Sequence, residues 1–182
     1  MKILIVYGSY DGHTQWIAER MAQVIRRGGH EVRALPVQEH GLAREIGWSD
    51  AVVLGGSIRY GHHSPELVLA AREHRPMLVD RPNAFFSVCM SAAGPNAKPA
   101  TAMGYIDEFI TRSGWQPDRI ASFGGALQWS RYNAFIKVMM RIIVGMAGGD
   151  TDTSRDREYT DWAAVERFAA EFELRVREPW AA

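Results

Sequence analysis

Apolar positions gather in five short runs along the chain, and the stretches between them repeat at helical spacing. Ile3-Leu4-Ile5-Val6-Tyr7 is apolar without interruption, as a strand covered on both faces requires. Ile17, Met21, Val24 and Ile25 then predict a helix from Thr14 to about residue 27, closed by Gly28-Gly29. Residues 30–35 alternate, Val32 and Ala34 against Glu31 and Arg33, which suits a less buried edge strand. Gly41 and Gly47 interrupt 36–48, so a short, irregular helix is expected there.

Residues 50–56 read as a central parallel strand, apolar on both faces. Ser64-Pro65-Glu66 has the form of a helix start: a cap, a first-turn proline and an acid at the positive dipole end. That helix carries Leu67, Val68, Ala70 and Ala71 and is expected to fail before Pro76. A strand at 84–90 follows, then a helix over about 100–112 burying Met103, Ile106, Phe109 and Ile110 and stopping at Gly114. Residues 119–124 form the fifth strand. The last helix starts at Thr160-Asp161 and buries Trp162, Val165, Phe168, Ala169 and Phe172. Strands alternating with helices predict an α/β domain spanning 1–182, with a five-stranded parallel sheet wound on both faces in the order 2-1-3-4-5.

One segment, at about 125–157, does not fit that alternation. Its centre, 132–146, is almost wholly apolar, with Lys137 and Arg141 four residues apart on one face. It reads as a helical insert before the last helix. Either it packs on the core, or it offers an apolar surface to a membrane, a lipophilic substrate or a partner chain.

Composition narrows the function classes. Lys plus Arg and Asp plus Glu balance at 21 each, so no global field draws the chain to nucleic acid. The one cysteine, Cys89, cannot close an internal disulfide and is expected to serve as packing. No apolar stretch reaches the roughly 20 residues that span a bilayer, and the N-terminus has no signal-peptide pattern. A cytoplasmic location is expected, at most on the membrane surface.

Candidate chemistry lies where strands end. The first empties into Gly8-Ser9-Tyr10-Asp11-Gly12-His13-Thr14, which contains no lysine or arginine. Two readings of this loop stand: a phosphate cradle of neutral donors at a helix start, or a capped turn with Thr14 as N-cap. In the cradle, the Asp11 side chain is expected to turn away from the phosphate and bond backbone N–H groups. Ser57-Ile58-Arg59-Tyr60-Gly61 leaves the third strand with His62 and His63 behind it, and Ser91-Ala92-Ala93-Gly94 leaves the fourth. In the 2-1-3-4-5 order these loops meet at the switch point where ligands bind. Tyr60 is available to stack on a ring, and the small residues let backbone approach one closely. The dinucleotide spacing G-x-G-x-x-G is absent after the first strand, which favours a mononucleotide, flavin mononucleotide (FMN) before others. His62 and His63 lack further ligands nearby and read as polar loop, so no metal site is expected.

Ser9-x-Asp11-Gly12-x-Thr14 resembles the flavodoxin phosphate signature, with Asp11 where many flavodoxins have threonine. A wider resemblance covers nearly the whole chain. It rests on Tyr10-Asp11-Gly12-His13-Thr14, Ser57-Ile58-Arg59-Tyr60-Gly61-His62, Gly125-Ala126-Leu127, Arg131-Tyr132, Gly148-Gly149-Asp150-Thr151-Asp152-Thr153 and Tyr159-Thr160-Asp161-Trp162. Through these the chain is similar to the flavodoxin-like, quinone-dependent protoporphyrinogen IX dehydrogenases of bacteria, which also carry an insert before the last helix. The resemblance implies oxidation of protoporphyrinogen IX in two-electron rounds, with FMN as hydride acceptor. A membrane quinone, menaquinone or ubiquinone, is the implied electron sink, reached from the inner face of the membrane. Assembly into a homo-oligomer stays open.

No catalytic triad is expected, because the cofactor carries the chemistry. Arg59 is the candidate functional cation, suited to a substrate propionate, to the negative charge of reduced flavin, or to a structural salt bridge. Arg131, Lys137 and Arg141 are further candidates for propionates or anionic lipid head groups. Two alternatives remain beside the dehydrogenase. A flavodoxin-type electron carrier usually has a strongly acidic surface, unlike this balanced chain. An NAD(P)H:quinone reductase calls for a nicotinamide feature that the sequence does not display.

Overall fold

The computed structural model describes residues 1–95, 97–127 and 157–178. Strands β1 (Lys2–Gly8), β2 (Glu31–Pro36), β3 (Ala51–Ser57), β4 (Asn83–Cys89) and β5 (Arg119–Gly124) form one sheet in the order β2-β1-β3-β4-β5. All neighbours run parallel, as predicted, and the less buried β2 is an edge. Helices α1 (His13–Arg27), α2 (Leu42–Trp48), α3 (Pro65–Glu73), α4 (Arg75–Val79), α5 (Pro99–Ser113) and α6 (Trp162–Arg177) complete the described elements of the main layer.

Alternation along each strand divides the core into two. Ile3, Ile5 and Tyr7 of β1 pack with Val53, Phe86 and the inner faces of α1 and α6. Leu4 and Val6 point the other way, into a cluster with Val52, Leu54, Phe85 and residues of α2, α3, α4 and α5. A strand whose every side chain enters one cluster or the other must be apolar throughout, as β1 is.

Local signals place most helix ends. Ser64 caps α3 by accepting from Leu67 N–H at 3.2 Å, and Asp161 caps α6 by accepting from Ala164 N–H at 2.9 Å. Gly114 closes α5 in the left-handed region at φ 69°. One expectation about helices is corrected. Met103 is not buried: it stands 38% exposed, and Ala102 faces the core in its place, so α5 lies close to the sheet with the longer side chain turned outward. As expected, α3 ends before Pro76, at Glu73; a further short helix, α4, follows directly, because proline fits a first helical turn as well as it ends one.

His63 is a second correction. It is not polar loop but core, 4% exposed, with Nε2 and Ser87 Oγ 3.0 Å apart and its ring edge-on to Phe85 and Phe109. Burial pushes its pKa down to about 4. The unfolded chain, with an ordinary histidine near 6.5, binds the proton more readily. Stability is therefore full above about pH 6.5 and falls toward pH 4, by up to about 3 kcal/mol from this residue. His63→Phe is expected to flatten most of that slope, measured as urea midpoints at pH 7 and pH 4.5. An unchanged slope would place the acid sensitivity elsewhere.

After β5 a short antiparallel pair, β6 (Ala126–Leu127) with β7 (Arg157–Glu158), brings the two ends of the insert together. The predicted helix at 132–146, with Arg131, Lys137 and Arg141, lies outside the described residues.

Candidate functional site

Register builds the site before any side chain is considered. Gly8 pairs with Gly56, Ser57 with Val88, and Cys89 with Gly124, so the carboxyl ends of β1, β3, β4 and β5 lie in one row. A cleft of about 60 Å³ opens above that row. Ser9, Asp11, His13, Thr14, Ser57 and Ile58, from the loops at 8–14 and 57–61, line it. Val88, Cys89, Met90, Gly125 and Ala126 also line it and were not predicted. Their signal was positional: each lies at or just beyond the carboxyl end of β4 or β5, on the same edge of the sheet as the switch point.

Within the first loop, Gly12 is the N-cap of α1, at φ 84°. Thr14 is not the cap, which corrects that expectation: it sits inside the helix and is 1% exposed. Gly12 N–H donates to Ser9 Oγ at 3.0 Å, closing the loop on itself. The first helical bond runs from Trp16 N–H to Gly12 C=O at 3.2 Å. The N–H groups ahead of it are the ones a helix start leaves without helical partners, at its positive end.

The second loop is a two-residue hairpin. Arg59 N–H donates to His62 C=O at 2.9 Å, and His62 N–H returns to Arg59 C=O at 3.2 Å. Tyr60 at φ 52° and Gly61 at φ 85° are its central pair, the geometry of a type I′ turn. Tyrosine is an uncommon occupant of that region. The turn leaves the Tyr60 ring 67% exposed, and the Arg59 guanidinium lies between it and Tyr10, 5.5 and 4.9 Å from the ring centroids. The guanidinium thus rests against two rings at the cleft's rim, and among the described residues no ion pair of Arg59 falls within 4.0 Å. His62 pairs instead with Glu108, at 2.8 Å.

The third loop opens as a tight 3-10 turn, Met90–Ala92. Lys98 N–H closes it onto Ser91 C=O at 2.7 Å. Ser91, Ala92, Ala93 and Gly94 stand beside the cleft rather than lining it, with Ala93 buried and Gly94 at φ 63°. Close packing against the chain after the insert shapes this side. A Cβ on Gly124 would overlap the Tyr159 carbonyl oxygen.

Two ionisable groups lie at the cleft floor. Burial raises the pKa of the Cys89 thiol, which sits 3.8 Å from Ser122 Oγ, so it stays protonated near neutral pH. Burial lowers that of His13, against the field of Glu158. His13 Nε2 lies 2.6 Å from Thr160 Oγ1, while its Nδ1 is buried without a hydrogen-bond partner among the described residues.

This strand-end cleft, opened by a helix start with neutral donors, has counterparts among known proteins. The flavodoxin domain family matches residues 4–154. The chain is 36% identical over 173 residues to protoporphyrinogen IX dehydrogenase [quinone] of Escherichia coli, covering 94% of each. It is 37% identical over 172 residues to the protein of that name in Leishmania major, covering 94% of this chain and 74% of that one. The chain belongs to the quinone-dependent protoporphyrinogen IX dehydrogenase family.

The fold of this dehydrogenase-family chain is shared more widely. Oxidised Flavodoxin 2 from Bacillus cereus superposes with a TM-score of 0.59 at 18% identity, covering 96% of this chain and 99% of that one. Flavodoxin 1 from the same organism gives 0.56 at 15% identity, covering 94% and 97%. At such identities the likeness carries the flavodoxin fold alone. The family's cofactor is a flavin, and the loop at the cleft has the chemistry to hold an anionic group such as a phosphate. Its loop donors are neutral, Gly12 holds the loop in a conformation other residues resist, and the buried His13 Nδ1 awaits a partner. Among the described residues no cluster of three or more His, Cys, Asp or Glu side chains is placed to hold a metal ion.

Proposed function

We propose that this chain oxidises protoporphyrinogen IX to protoporphyrin IX, with FMN bound in the cleft and a membrane quinone as final acceptor. The observation that carries the reading is the match, over 94% of both chains, to a protein named for that reaction. Bound FMN supplies a two-electron acceptor that passes its electrons on to a quinone. In each round the tetrapyrrole loses a hydride and a proton, and the quinone, menaquinone or ubiquinone, gains two electrons and two protons.

The chain's residues bind and orient. Ser9, Tyr10, Asp11, Gly12, His13 and Thr14 form the phosphate loop, through backbone N–H groups and hydroxyls at the start of α1. Ser57, Ile58, Arg59, Tyr60 and Gly61 on one loop, and Ser91, Ala92, Ala93 and Gly94 on another, would hold the flavin ring. Arg59 is held over Tyr10 at the cleft's rim, and its guanidinium has the fork geometry that suits a propionate of the substrate.

Among the described residues no helix is long and apolar enough to cross a membrane. A cytoplasmic protein on the inner membrane face, approaching its quinone through the apolar sequence at 132–146, accords with that and with the reaction.

Anaerobic mixing of the purified protein with protoporphyrinogen IX and a quinone tests the reading. Fluorescent porphyrin is expected only when flavin and quinone are both present. Flavin reduction by NADPH alone, without porphyrinogen, would assign the chain to a different reductase class. Arg59→Ala is expected to lower kcat/KM for protoporphyrinogen about tenfold, the loss of one charge-assisted contact. FMN affinity is expected to change little. If both stay at wild-type values, Arg59 has no role in the site.

A further inference from the structure

His13 begins α1 with 6% of its surface exposed, and it lines the cleft beside Ser9 and Thr14. Its two ring nitrogens are in unequal positions. The Thr160 hydroxyl donates its hydrogen to the Gly124 carbonyl at 2.9 Å, so its oxygen is left to accept. It accepts from His13 Nε2–H at 2.6 Å, which puts the neutral ring's proton on Nε2 and a lone pair on Nδ1. That lone pair is buried and has no partner among the described residues, a state native proteins rarely leave unused.

The groups around the ring bear on what would fill it. From α1 and α6 come the uncharged indoles of Trp16 and Trp162, edge-on with ring centroids 5.9 and 6.2 Å away. From β7 comes the field of the Glu158 carboxylate, and Asp11 is the acidic group at the cleft itself. No lysine or arginine lies within the loop at 8–14. Without a ligand, burial outweighs Glu158 and keeps the ring neutral near pH 7. A phosphate dianion at the helix start adds a second negative field at short range and favours the imidazolium.

Resting on the FMN reading above, we propose that His13 binds the cofactor's phosphate through Nδ1 and takes up one proton from solvent as it does so. The proton adds to the Nδ1 lone pair, which becomes a donor to a phosphate oxygen, and no covalent bond breaks. Binding then supplies the cation that the loop sequence lacks. Since the bound ring holds its proton more tightly than the free one, FMN affinity rises as pH falls between the two pKa values. The slope approaches tenfold per pH unit at most. Riboflavin, which has no phosphate, is expected to bind without that slope.

Calorimetric titration of FMN into the flavin-free full-length protein at pH 7.5, in two buffers of different ionisation enthalpy, counts the protons. Uptake of about one proton per FMN is expected for the wild type. Uptake near zero is expected for riboflavin and for His13→Gln, which keeps a neutral polar side chain. In the holoprotein at pH 7, nitrogen NMR is expected to show both His13 ring nitrogens protonated. FMN binding to the wild type without proton uptake overturns the role of His13 and leaves the FMN reading standing. No FMN binding at any pH overturns both. The wild-type arm decides the question even if His13→Gln fails to fold.

Discussion

Gly12→Val is expected to yield a folded, colourless protein whose affinity for FMN is lower by up to about a hundredfold. Gly12 is the N-cap of α1 at φ 84° and ψ −12°. A β-branched residue is strongly disfavoured there, and holding one in the left-handed region costs about 1–3 kcal/mol. The chain relieves that cost by leaving the conformation, which moves the N–H groups at the start of α1 and breaks the bond from Gly12 N–H to Ser9 Oγ. A free energy of 3 kcal/mol corresponds to somewhat more than a hundredfold in a dissociation constant, which sets the ceiling. The helix itself survives, because Ile17, Ala18, Met21 and Ile25 still anchor its inner face in the core. Flavin absorbance per mole of purified protein, and a titration with FMN, read the loss. Gly41→Val is the control: Gly41 caps α2 at φ 80°, carries the same strain and does not line the cleft. It is expected to cost similar stability and leave flavin in place. Stoichiometric flavin with unchanged affinity in Gly12→Val would remove the loop from the cofactor site.

That contrast bears on how much of the molecule was legible in the sequence. Strand order and the two-sided core were, because Ile3 to Tyr7 must fill both clusters and only a strand apolar at each position does so. The loops at the switch point were, because the order of the strands dictates which ends meet. Backbone angles were not. Thr14 has the chemistry of a cap, but Gly12, at positive φ, holds the cap position two residues earlier. Nor was helix phase at the level of one residue: Ala102 rather than Met103 faces the sheet, since a close approach selects the smaller side chain. His63 was misread from its polar neighbours, although a signal existed. It directly precedes the Ser64 cap, where a helix entry is commonly held by a buried side chain. The left-handed Tyr60 left no signal at all, because its turn is fixed by paired backbone groups of Arg59 and His62.

Phe85→Ala is expected to reverse the pattern of Gly12→Val, with a large loss of stability and a small loss of flavin. Phe85 is fully buried on β4, its ring stacked on Phe109 with centroids 4.1 Å apart and planes 5° from parallel. His63 and Trp115 meet it edge-on at 5.3 and 6.3 Å. Truncation removes the ring's transfer free energy and leaves a cavity walled by other rings that cannot easily collapse, at a cost of about 3–5 kcal/mol. With a urea m-value of about 1–3 kcal/mol/M, the midpoint falls by roughly 2 M. The cavity also removes apolar cover from His63, so the ring regains part of its ordinary proton affinity and the acid-sensitive slope between pH 6.5 and 4 shrinks. Flavin affinity at pH 7 is expected to hold within a few-fold. The phosphate loop continues from β1 into α1, whose buried face belongs to the cluster on the other side of the sheet. Urea unfolding at two pH values and an FMN titration together test the argument. A Phe85→Ala protein that loses flavin as completely as Gly12→Val would show that the two sides of the sheet are not independent supports of the site.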